Sequence, residues 1–92
     1  MKPFEYSTTT EMIINENGSL KHFYRLANAL SKTRRVHFTA KEDDADIMEW
    51  HFKYRGDELA LQYNVYTGVT LLFGGKNAKT TNELAVRLRG IQ

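Results

Sequence analysis

Apolar and polar residues alternate through the middle of the chain in two runs that predict a β-hairpin. The first run extends from Met48 to Tyr54, and the second extends from Leu59 to Val65. A two-residue loop at Gly56–Asp57 sets Tyr54 opposite Leu59 and brings every large apolar side chain of both runs to one face. We therefore predict two antiparallel strands joined by that loop.

A third strand is predicted after a second turn at residues 66–68. If these three residues form the loop, with Gly68 in the left-handed conformation, Val65 pairs with Val69 and the apolar residues share a face. A two-residue loop at 67–68 would put the apolar residues of the third strand on the opposite face. The three-residue loop is therefore predicted.

Two amphipathic helices are predicted, one on each side of this strand region. Ser19 is typical of an N-cap, and apolar residues at helical spacing predict a first helix over 20–31. Thr80 and Glu83 have the spacing of a capping box, which predicts a last helix from 78 or 81 to 89. The two apolar stripes consist of Leu20, Phe23, Ala27 and Leu30, and of Leu84, Ala85, Leu88 and Ile91.

Two further strands are predicted closer to the N-terminus. Residues 12–14 form a short apolar run before the turn-forming residues 15–18. Alternation over 36–40 predicts another strand, and the acidic residues that follow at 41–46 are interpreted as a loop. The sheet is expected to leave an unpaired edge at 69–73 or at 12–14, and such an edge favours pairing with another chain.

These elements predict the order β-α-β-β-β-β-α in a single α+β domain spanning residues 1–92. The central strands form an antiparallel sheet, and both helices pack on the face that carries Trp50 and Phe52. Trp50 is expected to be buried between the helices and the sheet. Residues 1–10 are interpreted as either an edge strand or a loose arm.

Composition is compatible with one small domain and excludes several classes of site. The chain has 92 residues, of which 41% are hydrophobic, and this is enough material for one core. Because it has no cysteine, disulfides and thiolate metal sites are excluded, and the cytoplasm is the expected compartment. No stretch approaches the ~18 consecutive apolar residues of a membrane span, so no membrane contact is expected.

Charge is nearly balanced overall but unevenly distributed. Thirteen Lys and Arg residues against eleven Asp and Glu residues give a net charge of +2. Basic residues cluster at Lys32, Arg34 and Arg35 and again over 76–92, whereas 41–46 is acidic. We interpret these clusters as solvated surface, which is the usual role of such groups.

Histidines and a carboxylate on the strands form a candidate metal site. If Phe38 pairs with Trp50, His37 lies opposite His51 on the outer sheet face, close to Glu49. Two imidazoles and one carboxylate are ligands that suit a divalent metal. A flat sheet face gives no enclosure, so we interpret these residues as solvated and predict no metal, no cofactor and no catalytic residues.

A glycine- and lysine-containing segment opens the last helix. Gly74, Gly75, Lys76 and Lys79 could present backbone N–H groups and positive charge to a phosphate. With the apolar stripe that follows, the two lysines resemble the start of the last helix in double-stranded-RNA-binding domains, where lysines meet phosphates. The resemblance covers about fifteen residues; the extra strand and the short lysine set depart from that family.

The outer face of the sheet is the other candidate binding surface. Mixed polar faces with an exposed aromatic side chain are typical of surfaces that bind proteins or RNA. The residues predicted on this face are His37, Glu49, His51, Lys53, Gln62, Asn64 and Tyr66.

The sequence thus favours a non-catalytic binding or regulatory domain that acts through a protein partner or its own copy. The alternative is weak, sequence-independent binding of RNA or DNA through the basic start of the last helix. An enzyme is the third hypothesis, because no pair of catalytic groups can be placed from the sequence.

Overall fold

Five strands and two helices follow one another in the predicted order in a computed structural model, which describes residues 10–74 and 78–91. The strands are β1 (Thr10–Asn15), β2 (Val36–Asp43), β3 (Ile47–Tyr54), β4 (Asp57–Asn64) and β5 (Gly68–Phe73), and the helices are α1 (Leu20–Ser31) and α2 (Ala78–Arg89). Every strand pair is antiparallel, and the spatial order is β1-β5-β4-β3-β2. The predicted α+β fold class is confirmed.

Both helices pack on one face of the sheet and form a single core with it. α1 contributes Phe23, Leu26 and Leu30, and α2 contributes Leu84 and Leu88, all of them buried. Burying one such side chain contributes about 1.5–3 kcal/mol. The sheet residues of this core are Ile14, Val36, Phe52, Tyr54, Leu59, Leu61, Val69, Leu71 and Phe73. Among the described residues, no helix is both long enough and apolar enough to span a membrane.

Ser19 caps the first helix as predicted, whereas Thr80 does not cap the second. Ser19 is the N-cap of α1, because its Oγ accepts a hydrogen bond from the backbone N–H of His22 at 3.2 Å. Leu20, predicted on the buried stripe, is exposed at the first position of this helix. α2 begins at Ala78, so Thr80 lies inside the helix, and the prediction that it caps the helix was wrong.

The β3–β4 hairpin has a different register from the predicted one. Tyr54 pairs with Asp57 and Phe52 pairs with Leu59, so the loop is Arg55–Gly56. Arg55 and Gly56 have φ values of 53° and 86°, as the two central residues of a type I′ turn require. The predicted pairing was wrong by two residues. Because a two-residue shift leaves every side chain on its original face, the predicted core face is still correct.

The β4–β5 turn keeps its predicted length but begins one residue earlier. Asn64 pairs with Gly68 and Tyr63 pairs with Val69, so the three loop residues are 65–67 and the predicted pairing of Val65 with Val69 was wrong. Gly68 has a φ of 84°, which confirms its predicted left-handed conformation. The exposure of Val65 is a consequence of its place in this loop.

One of the two predicted sheet edges is confirmed. β1 lies at an edge, and β2 forms the other edge. The expectation of an edge at 69–73 was wrong, because β5 lies between β1 and β4, with Met12 paired to Leu71. Of the segment interpreted as an edge strand or a loose arm, only Thr10 lies within the described residues, as the first residue of β1.

Trp50 lies on the predicted face but at the margin of the core. It is partly buried, and its ring centroid is 5.1 Å from that of Phe23. Its Nε1 donates a hydrogen bond to Asp43 Oδ1 at 2.9 Å, and Lys41 Nζ lies 4.3 Å from its ring centroid. The expected burial of Trp50 between the helices and the sheet is therefore only partial.

Gly68→Ala is expected to lower the free energy of unfolding far more than Gly56→Ala. Both positions are left-handed, so both variants lose about 1–2 kcal/mol for that conformation. A Cβ at Gly68 would also overlap the backbone oxygen of Asn15, whereas a Cβ at Gly56 would meet nothing within 4 Å. We expect Gly68→Ala to cost about 1–3 kcal/mol more. Urea unfolding of both variants measures this, and equal losses would contradict the close packing at Gly68.

Candidate functional site

A short basic segment, residues 32–35, connects the end of α1 to the start of β2 at one end of the sheet. α1 stops at Ser31, where the backbone N–H of Lys32 bonds back to the last turn, and Thr33 Oγ1 donates to the Ala29 oxygen at 2.8 Å. The chain then turns tightly, since the Val36 N–H donates to the Thr33 oxygen at 3.3 Å. Arg34 and Arg35 are therefore held between the helix end and the start of β2.

Two arginines in an unusual backbone conformation face each other across this end of the sheet. Arg35 has a φ of 69° and Arg55 a φ of 53°, and they are the two non-glycine residues with positive φ in the described part of the chain. The Arg55 N–H donates to the Arg35 oxygen at 3.3 Å, which joins the two turns. The left-handed region disfavours side chains such as arginine by about 1–2 kcal/mol, and such strain is often found at functional sites.

These turns and α2 enclose a basic pocket with a volume of about 590 Å³. No carboxylate lines it, and none of its cations pairs with a carboxylate in the described residues. A concave surface lined by one sign of charge concentrates the electrostatic potential and attracts anions. The cations that line the basic pocket are Lys32, Arg34, Arg35, Arg55 and Arg87.

The sequence indicates only some of the residues that form the basic pocket. Lys32, Arg34 and Arg35 form a cluster in the sequence, but such a cluster is as typical of solvated surface as of a site. Arg87 lies in the separate basic segment 76–92, and Arg55 directly precedes the predicted Gly56–Asp57 loop. The fold brings Arg55 of the β3–β4 turn and Arg87 of α2 to the same pocket, a long-range juxtaposition without a local sequence pattern.

At the opposite end of β2, a β-bulge creates a second polar site. Phe38 pairs with Phe52, but the next pair is Ala40 with His51, so Thr39 is an extra residue in β2. A bulge reverses the alternation of side chains that follow it. Glu42, which strict alternation from Phe38 would direct to the core face, instead pairs with Glu49 on the outer face.

Glu42, Glu49 and His51 form an acid–histidine cluster on this outer face. His51 Nε2 lies 3.0 Å from Glu42 Oε2 and 2.9 Å from Glu49 Oε2. Gln62 Nε2 donates a hydrogen bond to Glu49 Oε1 at 3.0 Å. His51 is 1% exposed, whereas 46% of the Glu42 side chain is accessible. The cluster therefore combines a buried imidazole with a carboxylate that solvent reaches.

The structure brings together some of the predicted outer-face residues and separates others. Glu49, His51 and Gln62 converge, but His51 is buried and not solvated as predicted. His37 pairs with Lys53, and both are exposed, so the predicted juxtaposition of His37 and His51 was wrong. The β2–β3 register is the reason, because Phe38 pairs with Phe52 and not with Trp50.

The other predicted site residues do not join either cluster. Asn64 Oδ1 accepts a hydrogen bond from the Tyr66 N–H at 2.8 Å, and Tyr66 is 81% exposed in the β4–β5 loop. Gly74 and Lys79 are exposed, Lys79 in the first turn of α2. Gly75 and Lys76 lie outside the described residues.

Comparison with known families places the chain in a group without an assigned activity. A family model described as "Protein of unknown function (DUF3630)" matches residues 2–87. The chain belongs to the DUF3630 family. The match to DUF3630 includes every cation of the basic pocket and all three residues of the acid–histidine cluster. No match is found among curated proteins or among solved structures.

Arg35→Asn is expected to leave the free energy of unfolding unchanged or to raise it by up to ~1 kcal/mol. Asparagine tolerates the left-handed region better than arginine, so the variant relieves strain while it removes a pocket charge. Arg34→Asn is the matched control, because it removes the same charge from an exposed neighbour that lacks a positive φ. Urea unfolding gives both values. Destabilisation by Arg35→Asn alone would show that the arginine side chain supports the fold.

Proposed function

We propose that this DUF3630 chain is a non-catalytic binding domain whose basic pocket receives a carboxylate-rich segment of a protein partner. The observation that carries the proposal is the convergence of five cations on one concave surface that no carboxylate of the described residues lines. We place this activity in the cytoplasm, since the sequence contains no cysteine.

The electrostatics of the basic pocket support an anionic ligand. Five like charges in one concavity repel one another, and an anion that neutralises them would relieve that repulsion. Four of the five are arginines, whose planar guanidinium groups bind carboxylates with two parallel hydrogen bonds. Arg35 and Arg55 also keep a strained backbone at this position, which favours a functional over an incidental cluster.

Charge distribution favours a protein partner over a nucleic acid. The pocket lies at one end of β2, and the acidic residues that end this strand are roughly 20 Å away, at about 3.3 Å per residue. A long phosphate backbone that tracks the surface would meet these carboxylates, and the chain has a net charge of only +2. A short acidic segment needs only the pocket.

A second copy of this chain is one partner with the required chemistry. The end of β2 and the turn after it expose Glu42, Asp43, Asp44 and Asp46. These carboxylates lie far from the pocket of their own chain, so they can reach only the pocket of another copy. Such a contact would be head-to-tail, between two different surfaces.

Charge reversal in the pocket tests the proposal. The double variant Arg34→Glu/Arg87→Glu should bind a fluorescent hexaglutamate peptide at least about tenfold more weakly than the wild type, measured by anisotropy at low and physiological ionic strength. Both residues are exposed, so the fold should persist, as circular dichroism can verify. The matched control is Lys21→Glu/Lys79→Glu, which changes the net charge equally at exposed helix positions outside the pocket.

The control also separates the alternatives. Duplex RNA is titrated beside the peptide, and tighter RNA binding that Lys21→Glu/Lys79→Glu abolishes would favour the nucleic-acid hypothesis instead. Sedimentation of the wild type at several concentrations detects self-association, and its loss in the pocket variant alone would identify a second copy as the partner. Equal peptide affinity of the two double variants, or no peptide binding by the wild type, would contradict the proposal.

A further inference from the structure

The acid–histidine cluster directs two carboxylate oxygens at a single imidazole nitrogen. Two carboxylate oxygens approach one imidazole atom, His51 Nε2, at 2.9 and 3.0 Å. This nitrogen carries at most one hydrogen, so it cannot form a full, straight hydrogen bond to both oxygens at once. A cation at the centre of the three atoms would satisfy all of them together.

The spacing of the three ligand atoms suits a small divalent ion. One nitrogen of His51 and one oxygen each of Glu42 and Glu49 lie within 4.8 Å of one another. Around a tetrahedral Zn²⁺, with bonds of about 2.0–2.2 Å, neighbouring ligand atoms are about 3.3 Å apart. The two distances from Nε2 are already within a few tenths of an ångström of that value. Movements of the two carboxylate side chains would close the site around an ion.

Surrounding residues orient the ligands and leave a route from solvent. Gln62 bonds to Glu49 Oε1, which leaves Oε2 of that carboxylate directed at His51. Metal ligands in proteins are usually fixed by such outer contacts. A cleft of about 290 Å³ beside the cluster is lined by Glu42 and Glu49 together with Asp43 and Asp44. Its negative charge attracts cations from solvent.

We propose that Glu42, Glu49 and His51 bind one divalent transition-metal ion, for which Zn²⁺ is the best-fitting probe. An imidazole together with two carboxylates suits such ions better than Mg²⁺ or Ca²⁺, which prefer ligand sets made of oxygen alone. Three protein ligands leave a fourth position for water or for a group from a partner. This site is separate from the basic pocket, so its test does not depend on that pocket.

Calorimetric titration of the untagged, chelator-treated chain with ZnCl₂ tests the site. We expect one saturable equivalent of Zn²⁺, with no thiol to compete because the chain has no cysteine. Glu42→Gln should weaken binding at least about tenfold, in the range typical for disturbed metal sites. Glu58→Gln is the matched control, an exposed carboxylate on β4 outside the cluster, and should bind as the wild type does.

Histidine variants and a second readout complete the experiment. His37→Gln should leave Zn²⁺ binding unchanged, whereas His51→Gln should abolish it. Because His51 is buried and its variant could fail to fold, the ¹⁵N resonance of its Nε2 in the wild type is followed as well, and it should shift on addition of one equivalent of Zn²⁺. No saturable binding, an unshifted Nε2 resonance, equal binding by Glu42→Gln, or equal affinity for Mg²⁺ would each overturn the proposal.

Discussion

One extra residue, Thr39 in the edge strand β2, determines on which face of the sheet the acidic side chains at the end of that strand lie. Up to Phe38, β2 follows strict alternation and directs its apolar side chains to the core. The bulge at Thr39 reverses that order, so Glu42 reaches the outer face beside Glu49. The bulge therefore brings two carboxylates and His51 together on that face.

The same strand separates opposite charges across the molecule. Before β2, Arg34 and Arg35 line the basic pocket, and at its far end Glu42 lies in the acid–histidine cluster. This strand is paired to β3 along most of its length and separates two sites of opposite sign. We propose that each of these sites binds its own ligand.

The sequence predicts the element order, the buried faces and the left-handed Gly68, because each depends on local chemistry or on period-two alternation. The predicted strand pairing was wrong by two residues at both turns. A shift of two residues keeps every side chain on the same face of the sheet, so the pattern of buried residues cannot detect it. The observed β3–β4 register requires a positive φ at Arg55. Arginine is not typical of that position, so the sequence does not indicate this turn. The bulge was missed because the acidic residues around Glu42 are as typical of a loop as of a strand. Both candidate sites depend on these two features and could not be assembled from the sequence.

The most direct test of two independent sites at the two ends of β2 is amide NMR of the ¹⁵N-labelled chain, titrated separately with an acidic peptide and with Zn²⁺. The peptide should shift the resonances of Arg34, Arg35, Arg55 and Arg87 while those of the acid–histidine cluster stay in place, and Zn²⁺ should do the reverse. Overlapping shifts from the two ligands, or shifts spread over exposed charged residues with no relation to either site, would contradict this account.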